Sequence, residues 1–327
     1  MRDRTNRTVS STIGIISGQK WVLRGVSNCR NPGIFSRDTE TNIRFRKKKK
    51  KILTWKFLNS KPLKSSKNPQ IPQFSISFST IHLSETPDFF TEFPKALLSL
   101  DQNPEVNVII LSGHGDHFCS GIDLNAINTL MKSQSKDQGR FRERFRREVK
   151  CLQNAMTAIE RCRKIVIAAI HGACIGGGID LITACDIRYC SKNAFFCVKE
   201  VDVAIVADLG TLQRLPGIVG YGNAVELALT ARRFTGEEAK DFGLVSKVFE
   251  SKSALDEGVY AVAEGIALKS PLAVIGTREV LLRSRDMSVD QGLDYVATWN
   301  SAMLPSADLT EAVSAQIQKR KPTFAKL

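Results

Sequence analysis

The sequence predicts an α/β protein whose sheet is covered by helices on both faces. Short, almost wholly apolar runs at 106–111 and 165–170 are typical of buried strands, and a third strand is expected at 186–190. Segments with helical spacing of apolar residues lie before, between and after these runs. Strands that alternate with helices and are apolar along their length favour a parallel sheet with helices on both sides.

Apolar residues that recur every three or four positions predict the helices. The first helix covers 88–100 and stops before the Asn103-Pro104 pair. A long charged segment carries apolar residues at 141, 145, 149, 152, 156 and 159, which is one face of an amphipathic helix. Further helices are expected at 223–231, 236–242, 254–269, 271–284 and 289–303.

The positive net charge of +14 belongs to the amino end of the chain. Residues 1–70 carry 18 Lys and Arg against 3 Asp and Glu, whereas the remaining 257 carry 29 against 30. The globular part is therefore close to neutral, which argues against nucleic acid as its partner. The organisation expected is a basic, disordered or atypical segment over 1–80, an α/β core over 81–253 and a helical carboxy-terminal region over 254–327.

Several function classes lack their sequence signals. No apolar stretch approaches the roughly 20 residues of a membrane helix, and the amino terminus has no secretory signal pattern. The eight cysteines form no Cys-x-x-Cys pair, and His114, His117 and His171 lack a His-Glu-x-x-His context, so no metal is expected. The final Ala325-Lys326-Leu327 is similar to the Ser-Lys-Leu peroxisomal address, which predicts a peroxisomal location and an import receptor as a partner.

Two glycine-containing loops each follow a predicted buried strand. The first runs from His117 to Leu124, and the second from Gly172 to Gly178. A glycine loop that leads into a helix presents unpaired backbone N–H groups, and two such loops together can hold a carbonyl oxygen that becomes an enolate. A tight strand-to-helix turn with no ligand is the alternative. Neither loop matches the Gly-x-Gly-x-x-Gly or phosphate-loop patterns of nucleotide sites.

Three carboxyl groups stand among hydrophobic residues: Asp180 directly after the second glycine loop, and then Glu200 and Asp208. Desolvation raises the pKa of a carboxyl group, so an acid in an apolar pocket can both take and give protons near neutral pH. Each alone could instead be a helix cap or a loop residue in contact with water. Together, beside a candidate oxyanion loop, they favour acid–base catalysis.

These residues resemble the crotonase (enoyl-CoA hydratase/isomerase) superfamily over about residues 86–327. Phe118-Cys119-Ser120-Gly121-Ile122-Asp123-Leu124 resembles its first oxyanion motif, and the run from His171 to Asp180 its second. Within the superfamily, segments 180–190, 198–203 and 207–216 are most similar to the dienoyl-CoA isomerase branch. The resemblance implies a crotonase-like spiral core of repeated ββα units with a carboxy-terminal helical region, assembled as a homotrimer or hexamer.

The resemblance also implies the chemistry. The substrate is an acyl-CoA thioester, a 3,5-dienoyl-CoA that is isomerised to the 2,4-dienoyl-CoA, and no cofactor is needed because CoA is part of the substrate. Asp180, Glu200 and Asp208 are the expected catalytic acids, with Glu200 as base at C2, Asp208 as acid at C6 and Asp180 tuning both. The expected oxyanion and substrate-binding residues, with the backbone N–H groups of Ile122 and Gly177 as the donors, are Ser120, Gly121, Ile122, Asp123, Leu124 and Gly177.

One departure from the family pattern lies at the amino end. The family's opening strand and its Asn-Ala loop, which clamps CoA, are not found before Pro87, so the basic segment is expected to replace them.

Two alternative functions stay open. A 2-enoyl-CoA hydratase needs Asp180 and Glu200 but has no need of Asp208, and a non-catalytic crotonase-like protein would bind nucleic acid through Lys47–Lys51.

Overall fold

The structure is a computed structural model. It describes residues 89–121, except the side chain of His114, and residues 137–327. Ahead of these it describes the backbone of five strands and of the first two residues of a helix. The candidate residues Ile122, Asp123 and Leu124 and the basic run Lys47–Lys51 lie outside the described residues.

Strands and helices alternate through most of the described chain. The strands are β1 (Ser10–Ile15), β2 (Gln19–Arg24), β3 (Arg37–Asp38), β4 (Lys56–Leu58), β5 (Phe74–Ser79), β6 (Val108–His114), β7 (Ile165–Ile170), β8 (Ala173–Ile175), β9 (Ile187–Ser191), β10 (Phe195–Cys197), β11 (Phe234–Thr235) and β12 (Lys247–Phe249). The helices are α1 (Pro87–Asp101), α2 (Gln138–Arg161), α3 (Gly177–Ala184), α4 (Thr211–Val219), α5 (Tyr221–Thr230), α6 (Gly236–Asp241), α7 (Lys252–Ala267), α8 (Pro271–Arg283), α9 (Val289–Met303) and α10 (Ala307–Ile317). Two 3₁₀ turns cover Glu200–Val203 and Ser284–Asp286.

The strands form three sheets. The largest has the order β12-β9-β7-β6-β5-β4, and its neighbours are parallel except for the antiparallel pair β4 and β5. A small sheet has the order β11-β10-β8, in which β8 and β10 are parallel. The first three strands pair antiparallel in a sheet of their own.

The chain passes repeatedly from the large sheet to the small one and then into a helix. β7 lies in the large sheet, β8 in the small sheet, and α3 follows; β9 and β10 repeat this path before the turn at Glu200. Residue Cys119, after β6, makes a parallel bridge to Cys174 of β8, so the segment before α2 follows the same path. These repeats confirm the spiral of ββα units that the resemblance implies.

The large sheet is buried on both faces at β6 and β7, because these two strands carry apolar side chains in both directions. One face packs on α1 and α2, where Ile109 and Leu111 join Phe93 and Met156. The opposite face packs on α7 through a second cluster, which is made of Val108, Ile110, Ile165, Ile167, Ala169, Leu255, Val259 and Ala263. Side chains alternate between the faces of a strand, so a fully apolar run needs cover on both sides. The prediction of a sheet covered on both faces is therefore confirmed.

A buried ion pair joins the carboxy-terminal helices to this core. The Arg278 guanidinium of α8 donates to Asp186 at 2.8 Å and to the carbonyl oxygens of Ile159 and Glu160 at the end of α2. The other oxygen of Asp186 accepts the backbone N–H of Val166 in β7. One arginine thus connects α8, α2 and the large sheet.

The structure differs from the sequence prediction at the amino end. No strand was expected before Pro87, yet β5 pairs in parallel with β6 over six residues of each strand. The segment Phe74-Ser75-Ile76-Ser77-Phe78-Ser79 alternates apolar and polar residues, which is the ordinary pattern of a strand with one polar face. The expectation that the large sheet lacks its preceding strand was therefore wrong, whereas the domain boundaries at 80 and 253 stay predictions.

Among the residues that the structure describes, no single helix is long and apolar enough to cross a membrane. One pair of helices, Lys252–Ala267 with Pro271–Asp286, meets the length and composition requirement only when taken together, and the two are bent by 107° at their junction.

Candidate active site

The first glycine-containing loop lies beside the second. The N–H of Phe118 donates to the carbonyl oxygens of His171 and Ala173, at 2.8 and 3.1 Å, and that of Cys119 donates to Ala173 at 2.9 Å. Ile175 returns a bond to the Cys119 carbonyl at 3.0 Å. The two loops are therefore tied together by main-chain hydrogen bonds, which place Ser120 and Gly121 at the side of β8.

The three consecutive glycines form the turn from β8 into α3. Gly176 has φ of 54°, a left-handed conformation that favours glycine. Gly177 is the first residue of α3, so its N–H has no acceptor within the helix and points out of the helix start. A Cβ added to Gly176 would lie 4.0 Å from the Cα of Gly121, which shows how close the two loops come. The geometry leaves Gly177 free to act as an oxyanion donor, and its pairing with Ile122 stays a prediction.

At Gly178 a side chain is excluded by close packing and not by backbone conformation. A Cβ at this position would lie 2.9 Å from the Cβ of Cys119 and 3.2 Å from the Sγ of Cys174. The start of α3 therefore packs directly on the first loop, and there is no room for a side chain between them.

Asp180 lies in the first turn of α3 and is almost completely buried, with 1% of its surface exposed. Its Oδ1 accepts two hydrogen bonds from Thr211, one from the backbone N–H at 2.7 Å and one from the hydroxyl at 2.8 Å. Burial raises the pKa of Asp180 to about 7, and the charges of Glu200 and Asp208 act in the same direction. The hydrogen bonds from Thr211 act against this rise. A carboxyl group with such a pKa exists in both protonation states near neutral pH.

Glu200 begins the 3₁₀ turn that follows β10 and is half-buried. Its Oε1 lies 3.5 Å from the position that a Cβ of Gly176 would take, so the carboxyl group borders the glycine turn. Its Oε2 is buried without a hydrogen-bond partner. Burial raises the pKa of Glu200, and the nearby charge of Asp208 adds to the rise. An unpaired buried carboxyl oxygen is rare in native proteins and is typical of an atom that is kept for a ligand.

Asp208 lies in the segment between the 3₁₀ turn and α4 and is exposed at the surface of the single chain. Enough protein surrounds its carboxyl group that partial burial still raises its pKa. The side-chain amide of Gln153 in α2 donates to the backbone carbonyl of Asp208 at 2.7 Å. This bond fixes the main chain that carries the carboxyl group.

The structure thus brings together the three carboxyl groups that the sequence predicted. Asp208 raises the pKa of both other acids, and Glu200 raises the pKa of Asp180, so the three groups share one electrostatic environment. Carboxylates that repel each other in a partly dry site disfavour simultaneous ionisation. The arrangement can therefore hold a proton on one acid while another acts as a base.

Two residues of this neighbourhood were not singled out from the sequence. Thr211 contacts Asp180 across 31 positions of the chain, and Gln153 contacts the segment of Asp208 across 55. The one sequence signal for Thr211 is its position directly after Gly210, at the start of a helix. The N–H groups and hydroxyl groups at such a position need hydrogen-bond acceptors outside the helix. Within the described residues, no group of three or more His, Cys, Asp or Glu side chains is placed to hold a metal ion.

Comparison with known proteins gives consistent matches. Residues 83–326 match the profile of the enoyl-CoA hydratase/isomerase family. The chain is 74% identical over 242 residues to the peroxisomal Δ(3,5)-Δ(2,4)-dienoyl-CoA isomerase of Arabidopsis thaliana, a match that covers 73% of this chain and 87% of the relative. It is 45% identical to the mitochondrial Δ(3,5)-Δ(2,4)-dienoyl-CoA isomerase of Mus musculus, over 73% and 75% of the two chains. It is 32% identical to a probable enoyl-CoA hydratase of Bacillus subtilis, over 71% and 87%.

Solved structures share the fold. The enoyl-CoA hydratase of Bacillus anthracis aligns with a TM-score of 0.69 and 29% identity, over 77% of this chain and 95% of that one. An enoyl-CoA hydratase/isomerase of Marinobacter aquaeolei aligns with a TM-score of 0.71 at 24% identity, over 78% and 97%, and supports the fold alone.

Proposed function

Because the chain belongs to the enoyl-CoA hydratase/isomerase family, we propose that it isomerises a 3,5-dienoyl-CoA to the 2,4-dienoyl-CoA in fatty-acid β-oxidation. The observation that carries this function is the meeting of Asp180, Glu200 and Asp208, all with raised pKa values, beside the free N–H at the start of α3. The high identity to named isomerases supports the same reaction. The acyl-CoA thioester is the substrate, and the reaction uses no cofactor because CoA arrives with the substrate.

The thioester oxygen binds at the glycine turn. Removal of a proton from C2 sends negative charge to this oxygen, and the N–H of Gly177, aimed out of the helix start, stabilises that charge. The N–H of Ile122 is the proposed second donor, because the first loop lies directly beside the turn. Donors held in place by the fold need no rearrangement as the charge develops.

Glu200 is the base that removes the C2 proton. Its carboxyl group borders the glycine turn, as C2 does when the thioester oxygen is held there, and its Oε2 has no competing partner. A raised pKa makes it a stronger base than an ordinary carboxylate. The resulting dienolate spreads its charge from the thioester oxygen to C6.

Asp208 is the acid that returns a proton at C6. Its raised pKa favours the protonated form that this step requires. Asp180 tunes both groups through its charge, which depends on pH near neutrality. One proton leaves C2 and one enters C6, so the reaction changes neither the oxidation state nor the composition of the substrate.

The direct test offers a 3,5-dienoyl-CoA to the full chain and follows the conjugated 2,4-product by its ultraviolet absorbance. Glu200→Gln and Asp208→Asn should each lower kcat by about 100- to 10,000-fold, the range for loss of a general acid or base. Asp202→Asn is the matched control, because Asp202 lies on the same 3₁₀ turn but is exposed and paired with Lys199. It should retain activity.

Deuterium exchange separates the two roles. In D₂O, Asp208→Asn should still exchange the C2 hydrogen of the substrate without forming product, whereas Glu200→Gln should do neither. Near-full turnover of Asp208→Asn would contradict the two-site transfer. If the protein left the dienoyl-CoA unchanged but added water to a 2-enoyl-CoA, it would be a hydratase that uses Asp180 and Glu200.

The place of action is the peroxisome. The Arabidopsis relative carries that location in its name, and Ala325-Lys326-Leu327 is exposed, with 40% of Leu327 accessible. Lys326 pairs with Glu105 at 2.6 Å, and the buried Lys164 donates to the Leu327 carbonyl at 3.1 Å. An import receptor is the proposed partner of this tripeptide. Deletion of the tripeptide should leave the protein outside peroxisomes in cell imaging.

The protein assembles as a homotrimer or hexamer. The last three helices carry exposed apolar side chains that a second copy would cover. An apolar cavity of about 480 Å³ opens between them. Light scattering on purified protein should give three or six times the mass of one chain. The most exposed of these side chains are Leu281, Val289, Leu293 and Ile317.

A further inference from the structure

The buried carboxyl group of Asp180 is held from one side by a single residue. The N–H and the hydroxyl of Thr211 both donate to Oδ1, at 2.7 and 2.8 Å, and Thr211 is completely buried. Thr211 begins α4, where its N–H has no acceptor within the helix. The carboxyl group of Asp180 therefore supplies the hydrogen-bond acceptor that the N–H at the start of α4 lacks within its own helix.

Two donors on one oxygen determine where a proton can reside. A carboxyl oxygen has two lone pairs, and Thr211 occupies both directions at Oδ1. The proton of a neutral Asp180 must then lie on Oδ2. The acids that face Asp180 are Glu200 from the 3₁₀ turn and Asp208 from the segment before α4, and the thiols of Cys119 and Cys174 face it from the first loop and β8.

We propose that Thr211 is a positioning residue for the isomerase, one that fixes the plane of the Asp180 carboxyl group and confines its exchangeable proton to Oδ2. This inference rests on the proposed function, in which Asp180 tunes Glu200 and Asp208. Without these hydrogen bonds the carboxyl group of Asp180 could rotate, and its proton could lie on either oxygen. The electrostatic repulsion between Asp180 and the carboxyl groups of Glu200 and Asp208 would then vary.

Thr211 also sets the charge state of Asp180. Its hydrogen bonds favour the ionised form and oppose the rise in pKa that burial causes. Replacement of the hydroxyl by a methyl group, as in Thr211→Val, keeps the volume and the backbone N–H but removes one of the two bonds. The pKa of Asp180 should then rise further, and Asp180 should be more protonated at neutral pH.

The test compares Thr211→Val and Thr211→Ser in the isomerase assay over a range of pH. Thr211→Val should move the pH profile of kcat to higher pH by about one unit, the size expected for one hydrogen bond to a charged group. Thr211→Ser retains a hydroxyl group and should restore the profile. A lower activity with an unshifted profile, or no rescue by serine, would overturn the proposal.

Thr183→Val is the matched control. Thr183 is equally buried in the adjacent helix α3, but its hydroxyl donates to the backbone carbonyls of Ile179 and Asp180 and not to the carboxyl group. It should lose stability and keep the wild-type pH profile. A similar shift in Thr183→Val would show a general effect of core disruption and would overturn the role of Thr211.

A second measurement is independent of catalysis. The pH at which stability to urea declines reports the pKa of Asp180 in the folded protein, and Thr211→Val should move that pH upward whether or not the protein is an isomerase. If Thr211→Val does not fold, Thr211→Ala lacks the same hydroxyl and takes its place. If the wild-type protein showed no isomerase activity, the proposed function would be contradicted, but the link between Thr211 and Asp180 would not. If the stability curve of Thr211→Val did not move, that link would be contradicted.

Discussion

The acid Asp180 shows how the fold alters the chemistry of one residue. A carboxyl group in water titrates near pH 3.8, and burial raises the pKa of this one to about 7. Its burial therefore favours the protonated form in the folded state, and ionisation opposes folding. A residue of this kind reduces stability under the conditions in which it is most useful for proton transfer.

Asp180→Asn should therefore stabilise the protein at alkaline pH. Because the pKa is higher in the folded state, the stabilisation from protonated Asp180 is fully present below about pH 4 and is lost as pH rises through about 7. Asparagine does not ionise, and its amide oxygen can still accept from Thr211. The gain over wild type should grow from pH 5 to 8, toward an upper limit of ~4 kcal/mol. Urea unfolding at a fixed protein concentration measures it.

Asp202→Asn provides the comparison, because its carboxyl group is exposed. Its stability curve should run parallel to that of the wild type across the same range. If the curves of Asp180→Asn and the wild type also ran parallel, the buried carboxyl group would not be the titrating group.

Single residues in this site differ in how well the sequence predicts them. Asp180, Glu200 and Asp208 are visible because a charge within an apolar run needs an explanation. Thr211 and Gln153 are ordinary polar residues until the fold places them against distant partners, 31 and 55 positions away. Their roles depend on tertiary contacts, which have no local pattern.

At the scale of elements, the first loop and α3 behave as one unit. Main-chain bonds join the loop to β8, and Gly178 brings the start of α3 into contact with Cys119. Gly177, the proposed oxyanion donor, and Asp180 lie on this same short helix. A shift of α3 against the first loop would therefore move both the N–H of Gly177 and the carboxyl group of Asp180.

Gly178→Ala should disturb this unit. The added Cβ would lie 2.9 Å from the Cβ of Cys119, where the backbone must move to make room. Overpacking of this kind costs about 1–3 kcal/mol, and we expect kcat to fall because the Gly177 donor moves with it. Thermal unfolding and the ultraviolet assay on the same preparation measure both effects.

Gly265→Ala is the control for this substitution. Gly265 lies inside α7 with nothing within 4 Å of an added Cβ, so alanine should stabilise the helix by about 1 kcal/mol and leave kcat unchanged. A Gly178→Ala protein with normal stability and activity would show that the contact with Cys119 is unimportant.

The sequence predicts the most apolar strands and several helices, including the six-residue α6, but it does not predict α3, α4 or α10. β7 occupies 165–170 as expected, and α9 occupies Val289–Met303. The three-residue strands β8 and β10 went unrecognised, because a strand this short has no measurable period and exists only through its pairing. The alternation in β5 stands among basic and serine-rich residues, which obscure its period of two in the sequence.

For the whole molecule, Arg278 is the main polar link between the carboxy-terminal helices and the core. It is 6% exposed and bonds Asp186 and two carbonyl oxygens at the end of α2. Asp186 in turn accepts a hydrogen bond from the backbone N–H of Val166 in β7. A buried pair of this kind adds little net stability over apolar residues, but loss of one partner leaves an unpaired charge.

Arg278→Met should reduce the free energy of unfolding by up to about 3–5 kcal/mol, because the half-buried Asp186 then keeps its charge without its cation. Urea denaturation at one protein concentration measures this loss. Arg283→Met, in the same helix α8, is the control: its guanidinium is exposed and pairs with Glu279 at the surface, so the unfolding midpoint should not move. Equal effects of the two substitutions would contradict a special role for the buried pair.

Burial of the cysteines has a consequence for the durability of the protein. Burial raises the pKa of Cys119 and Cys162 to about 11 and that of Cys190 to about 12. Since peroxide attacks the thiolate, the raised pKa of Cys119 keeps this thiol in its unreactive protonated form near neutral pH. Within the described chain, Cys151 is the one exposed thiol. The Cys119 thiol, which faces Asp180, is therefore protected from oxidative damage by the same burial that raises the pKa of Asp180.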